Sequence, residues 1–233
     1  WAGVVWAGTT ADAVHRASPD DPEAKRVLAA VYRQMATQSA EVGALQAARA
    51  HFVSAAQLEL SREARGADWF SAWQNGRDAG ADAGELVEYL SASLEANPAN
   101  LEVRRTAAAE LDELGRPAEA VVHYLWVWEA DRADIGVGLR LGSLYLALGQ
   151  LGDARAVFER VVERDPKNVQ AQLQLADIHE QQKRNDSADD AYRVLTAAHP
   201  DNPMILFRYA AFLERTGALQ KAEQLRAKAR GEL

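Results

Sequence analysis

"LGSLYLALGQLGDARAVFERVVERDPKN" spans Leu141–Asn168, and its small residues stand at chosen places. Two apolar-periodic stretches are split around Gly149, and Pro166 follows the second. Two helices joined by so short a turn lie antiparallel. Gly142 in the first and Ala154 in the second lack bulk, so the two backbones can approach closely. Gly149 falls where the first helix ends, and Gly takes a left-handed cap at low cost. Pro166 cannot continue a helix and closes the second.

The same features recur every 34 residues. Pro98, Pro166 and Pro200 share one column, in the contexts "EANPAN", "ERDPKN" and "AAHPDN". Gly115, Gly149 and Gly217 share another, with Lys183 in the missing slot. Ala120, Ala154, Ala188 and Ala222 fill a third without exception. Four residues on come Tyr124, Phe158 and Tyr192, and then Arg226 breaks the pattern. Leu141, Leu175 and Tyr209 stand in register with Ala107, beside the small residues Ala108, Gly142, Ala176 and Ala210.

These columns resemble the tetratricopeptide repeat, whose unit sets a large apolar residue, a small one, an aromatic, an Ala, an aromatic and a Pro at fixed spacings. The segment Ile135–Asn168 matches best, through Leu141, Gly142, Tyr145, Gly149, Ala154, Phe158 and Pro166. One such hairpin cannot bury both faces, so units stack. The resemblance implies an all-α, right-handed superhelical solenoid of antiparallel helix pairs. Four units are expected at 101–134, 135–168, 169–202 and 203–233. The last is truncated, and its charged "LQKAEQLRAKARGEL" suits a terminal unit with a wet outer face.

The preceding half is degenerate. In 67–100, Leu86, Leu90 and Pro98 keep the register, whereas the Gly-rich "ADWFSAWQNGRDAGADAG" reads as a short helix and a loose turn. Further back, Leu28, Ala29 and Tyr32 repeat the spacing of Leu141, Gly142 and Tyr145. Tyr32 to Phe52 is 20 residues where Tyr145 to Phe158 is 13, so a seven-residue insertion of about two turns is expected. Residues 21–100 thus read as lengthened helical hairpins of the same kind, and 1–20 as a loop or short docking segment.

Composition narrows the chemistry. With 48% hydrophobic and 26% charged residues the chain can bury a core. A net charge of −8, with no Lys/Arg run longer than two, disfavours nucleic acid, which wants a basic face. The absence of Cys rules out disulfides, thiolate nucleophiles and Cys-ligated metals, and fits a reducing or an oxidising compartment alike. The chain begins "WAGVVWAGTT" without Met and reads as a fragment or a processed chain. Its apolar run, too short to span a bilayer, is either the tail of a removed signal or anchor or a buried start of the fold. Cytoplasm and periplasm both stay open.

Catalytic signatures are missing. The five His show no i, i+4 pair and no HExxH, so no metal is expected, nor any cofactor. His179 falls in the Tyr145 column and reads as a packing residue with a satisfied ring. "GVGLRLG" at 136–142 opens a repeat helix with no strand before it, so it is not a phosphate loop. Asp189–Asp190 read as solvated surface. An enzyme is not expected.

The resemblance implies that the first helix of each unit lines a concave face where peptides bind. By column, the fifth position gives Arg105, Leu139, Leu173 and Phe207, the ninth Ser143 and Asp177, the second Met204, with Glu180 near a helix end. Together they describe an apolar floor beside acidic groups, suited to a protein or peptide with apolar anchors and basic character. Equally open is the reading in which Leu139, Leu173 and Phe207 are half-buried packing residues. A clamp for a terminal carboxylate, as in tetratricopeptide co-chaperones, is improbable. Leu139, Ser143, Gln170 and Gln174 stand where its Lys, Asn and Arg would be. In "YLWVWEAD", Trp128 falls at a packing position and Trp126 nearer the outer face, where exposure would mark an interface. The expected function is a non-catalytic protein-interaction scaffold that binds a peptide or partner helix in the groove. The alternative is structural assembly by self-association, as in the soluble part of a membrane-anchored or secretion-associated bacterial complex.

Overall fold

A computed structural model describes residues 9, 10, 13 and 16–232. Most of the 1–20 segment, with His15, therefore lies outside the described residues. From Pro22 onward the described residues form twelve helices and no strand. They divide into two compact units, one up to Val127 and one from Trp128.

In the first unit, α1 (Pro22–Glu41), α2 (Leu45–Leu58), α3 (Arg62–Asp78), α4 (Ala83–Ala96) and α5 (Leu101–Glu113) each pack on the next. The unit boundary passes through α6 (Pro117–Ala130). Asp21 caps α1, accepting a hydrogen bond from the Glu23 amide at 3.0 Å, and Pro22 opens the helix without wasting a donor. With 20 residues α1 is seven longer than α5, so the extra two turns lie in this helix. The helix and loose turn expected after residue 67 are both present, as α3 and the turn over 79–82, but the helix is not short: it runs 17 residues and passes through Gly66 and Gly76. Gly66 lies inside it because a Cβ there would stand 3.3 Å from the Ser93 carbonyl oxygen on α4. Helix α3 thus uses its glycines for close approach and not as turn residues.

The second unit holds α7 (Ile135–Ala147), α8 (Leu151–Arg164), α9 (Val169–Gln181), α10 (Asn185–Ala198), α11 (Pro203–Thr216) and α12 (Leu219–Ala229). In the α7–α8 hairpin Ala154 is fully buried, and the space above Gly142 is filled by the tip of the buried Phe158 ring. Gly149 has φ +73°, the left-handed cap its position demanded. Lys183, in the same column after α9, takes φ 56° with a side chain attached. A further column became visible only in the structure. Asn100, Asp134, Asn168 and Asn202 each cap the first helix of a pair, accepting from the amides of Val103, Val137, Ala171 and Met204 at 3.0–3.1 Å. At the C-terminal end Leu173, Tyr192, Leu195, Ile205, Tyr209, Phe212 and Leu213 form one buried cluster. Tyr192 and Tyr209 stack there with centroids 5.5 Å apart.

Ion pairs join first helices across one repeat in both units. Arg33 on α1 donates Nε and Nη2 to Asp68 on α3 at 2.8–3.1 Å, and also pairs with Glu59. Arg77 on α3 pairs with Glu110 and, at 3.1 Å, with Glu113 on α5. In the second unit Asp177 on α9 pairs with Arg208 on α11, and Glu180 with Arg215.

Candidate functional site

The first-helix face of α9 and α11 gathers the sequence-predicted residues most closely. Asp177, Phe207, Arg208, Ala211 and Arg215 surround a recess of about 370 Å³, with Tyr192 of α10 at its base. Phe207 is 43% exposed and Met204, one turn earlier on the same stripe, 51%. Leu139 and Ser143 are half-buried on α7, and the Ser143 hydroxyl is used locally, donating to the Leu139 carbonyl at 2.8 Å. Arg105 lies exposed on α5, in the other unit.

Leu173 departs from its expected role. It is only 3% exposed, packed in one cluster with Ile205 and Tyr209 of α11. The stacked following hairpin covers Leu173, so this residue holds the core and the row Leu139–Leu173–Phe207 is interrupted. Phe207 stays open because no helix among the described residues covers it.

The acidic groups also behave differently from expectation. Asp177 accepts a hydrogen bond from the Tyr192 hydroxyl at 2.7 Å and pairs with Arg208. Glu180 accepts both arms of the Arg215 guanidinium, at 2.6 and 2.9 Å. The carboxylates are the more buried partners, with side chains 23% and 22% exposed against 43% and 58% for the arginines. The recess therefore turns guanidinium edges outward, and the basic character expected of a partner loses its two carriers. Burial, with Asp177 accepting its hydrogen bond, pushes the Tyr192 phenol above its ordinary range and keeps it a donor. Glu180 holds Arg215 above its ordinary value.

Arg208 and Arg215 are the residues that column reasoning missed. Their signal was present as opposite charges about one repeat apart, 31 residues from Asp177 and 35 from Glu180. Other expectations divide. Asp189 is more than solvated surface, since it accepts from the Tyr209 hydroxyl at 2.7 Å, whereas Asp190 pairs with the exposed Arg193. His179 is half-buried as a packing residue, but its buried Nδ1 has no hydrogen-bond partner. Trp128 is buried at 2%, and Trp126 is 51% exposed. No group of three or more His, Cys, Asp or Glu able to hold a metal occurs among the described residues. Among them, too, no helix is long and apolar enough to cross a membrane.

Helix pairs repeated every 34 residues, with Gly or left-handed caps between the helices, define a helical-repeat protein. The family model of the tetratricopeptide repeat matches residues 139–203. No curated protein matches the chain. Among solved structures, MamA aligns with TM-score 0.60 and 18% identity, over 68% of this chain and 92% of its own. YrrB, described as a TPR protein with an unusual peptide-binding site, aligns with TM-score 0.59 and 18% identity over 84% and 95%. A tetratricopeptide repeat protein from Parabacteroides merdae gives 0.58 and 18% over 84% and 77%. Likeness at this identity speaks for the fold: the described residues share the all-α fold of antiparallel helix pairs seen in tetratricopeptide-repeat structures.

Proposed function

We propose that the chain is a non-catalytic interaction scaffold, and that the α9–α11 face binds a peptide or partner segment through an apolar anchor. The observation that carries this reading is the recess beside Phe207, where an exposed aromatic lies next to two fixed guanidinium groups. An apolar side chain of the ligand would cover Phe207, Met204 and Ala211. A guanidinium has five donors, and Asp177 and Glu180 occupy only some of them. The remaining N–H groups of Arg208 and Arg215 can donate to main-chain carbonyls or a carboxylate of the ligand. Because each arginine is held by its carboxylate, little side-chain entropy is lost on binding.

Selection of displayed peptides on the whole chain tests this. Selected peptides should share an apolar residue, and Phe207→Glu should weaken them by about tenfold or more, the loss expected of a central aromatic anchor. Peptides that bind Phe207→Glu as well as the unmodified chain would place recognition elsewhere. A dimer in light scattering that Phe207→Glu dissociates would assign the same surface to self-association.

A further inference from the structure

A second surface lies on the part of α6 that belongs to the first unit. Val122, Leu125 and Trp126 are 56%, 37% and 51% exposed. At i, i+3 and i+4 they form one stripe. The same columns on the second helices that follow carry Ala156, Glu159 and Arg160, then Asp190, Arg193 and Val194. There the outer face is bound up in helix-surface ion pairs, Arg155–Glu159 and Asp190–Arg193. Only on α6 is this face apolar in all three columns, so the repeat's own packing does not explain it.

The charge beside the stripe is equally specific. The Arg104 guanidinium lies over the Trp126 ring, 4.1 Å from its centroid. Its Nε donates to the Pro98 carbonyl at 2.8 Å, and no carboxylate among the described residues pairs with it. Burial lowers Arg104 from its ordinary value. The acidic residues on α6 itself are already satisfied, Glu119 by Arg116 and Glu129 by Arg132. An apolar stripe thus sits beside one uncompensated cation, which is the layout of an interface core.

We propose that Val122, Leu125, Trp126 and Arg104 form a docking surface for an acidic amphipathic helix of a protein partner. The partner's apolar residues, spaced i, i+3 or i+4, lie along the α6 stripe. Its Asp or Glu pairs with the outer edge of Arg104, and Trp126 shields that pair from water. The uncompensated guanidinium is what selects an acidic partner.

A displayed library of short amphipathic helices, selected on the whole chain and counter-selected on Trp126→Ala, supplies the probes. Enriched helices should carry Asp or Glu flanking the apolar stripe. Their affinity should fall about tenfold or more on Arg104→Glu. A helix with its acid exchanged for Arg should recover binding to Arg104→Glu, a rescue that misfolding cannot mimic. Phe207→Glu should leave these helices bound, which separates this surface from the α9–α11 recess. Enriched helices without acidic residues, or equal binding to Arg104→Glu, would overturn the proposal. So would a dimer that Trp126→Ala dissociates, since the occupant would then be a second copy.

Discussion

Gly142→Ala is the sharpest test of the helix-pair geometry, because two physical effects predict opposite signs. On propensity alone, replacing a mid-helix Gly by Ala should stabilise by about 1 kcal/mol. The new Cβ, however, would lie 2.6, 2.7 and 2.9 Å from Cζ, Cε1 and Cε2 of Phe158. Carbon atoms normally rest about 3.5–4.0 Å apart, so three ring atoms would overlap by about 1 Å. Phe158 is wholly buried and has nowhere to withdraw. Over-packing of this kind costs about 1–3 kcal/mol, and three simultaneous overlaps on a confined ring place it near 3. The net expectation is a loss of about 2 kcal/mol, read as a lower urea midpoint by circular dichroism. Amide exchange should accelerate in α7 and α8. Phe158→Leu shortens the side chain that collides, so in the double variant the Gly142→Ala penalty should largely vanish. A Gly142→Ala protein as stable as the parent, or more so, would refute the close approach on which the hairpin rests.

Three further outcomes follow from the packing. Lys183→Gly should raise the urea midpoint by about 1 kcal/mol of stability, because φ 56° strains any side chain and Gly relieves it. A lower midpoint would mean that the lysine side chain contributes more than its backbone costs. Arg33→Ala leaves Glu59 and Asp68 buried without their cation, and should destabilise the first unit by about 3 kcal/mol or more, seen as faster amide exchange in α1–α3. Unchanged exchange there would show that water reaches both carboxylates. His51, His123 and His179 are all held below their ordinary value, in each case first by burial. A base whose folded value is depressed takes up its proton more readily when unfolded, so stability is complete above the unfolded value and declines as pH falls toward the folded ones. The urea midpoint should therefore drop between neutral and mildly acidic pH, and a rise would refute the burial of these rings.

The repeat was legible where a residue's role is set inside its own hairpin. Gly142, Ala154, Phe158 and Gly149 act on neighbours in the same unit, so their spacing alone announced the helix pair. The helix over 62–78 is longer than its composition suggested, because Gly inside a helix and Gly in a turn look alike until the opposing helix is present. The Ser93 carbonyl oxygen against Gly66 makes the difference. The site was harder for a related reason. A column places a residue on a helix face but does not say whether the next helix covers that face. Leu173 and Phe207 share a column and differ from 3% to 43% exposed. Asp177 and Glu180 looked like free anions because their arginines lie a repeat away in sequence.

The cross-repeat ion pairs also bear on how a chain of near-identical hairpins finds its proper order. Similar repeats invite mis-stacking, since a hairpin could settle against the wrong neighbour with much the same apolar contact. Here the order of charge differs between the two units. Arg33 meets Asp68 and Arg77 meets Glu110 with the cation first, whereas Asp177 meets Arg208 and Glu180 meets Arg215 with the anion first. A hairpin of one unit docked at a junction of the other would set like charge on like, or strand Asp68 or Glu110 in the core without a guanidinium. Pairs worth little as glue thus act as addresses, and their value is the free energy withheld from every wrong assembly.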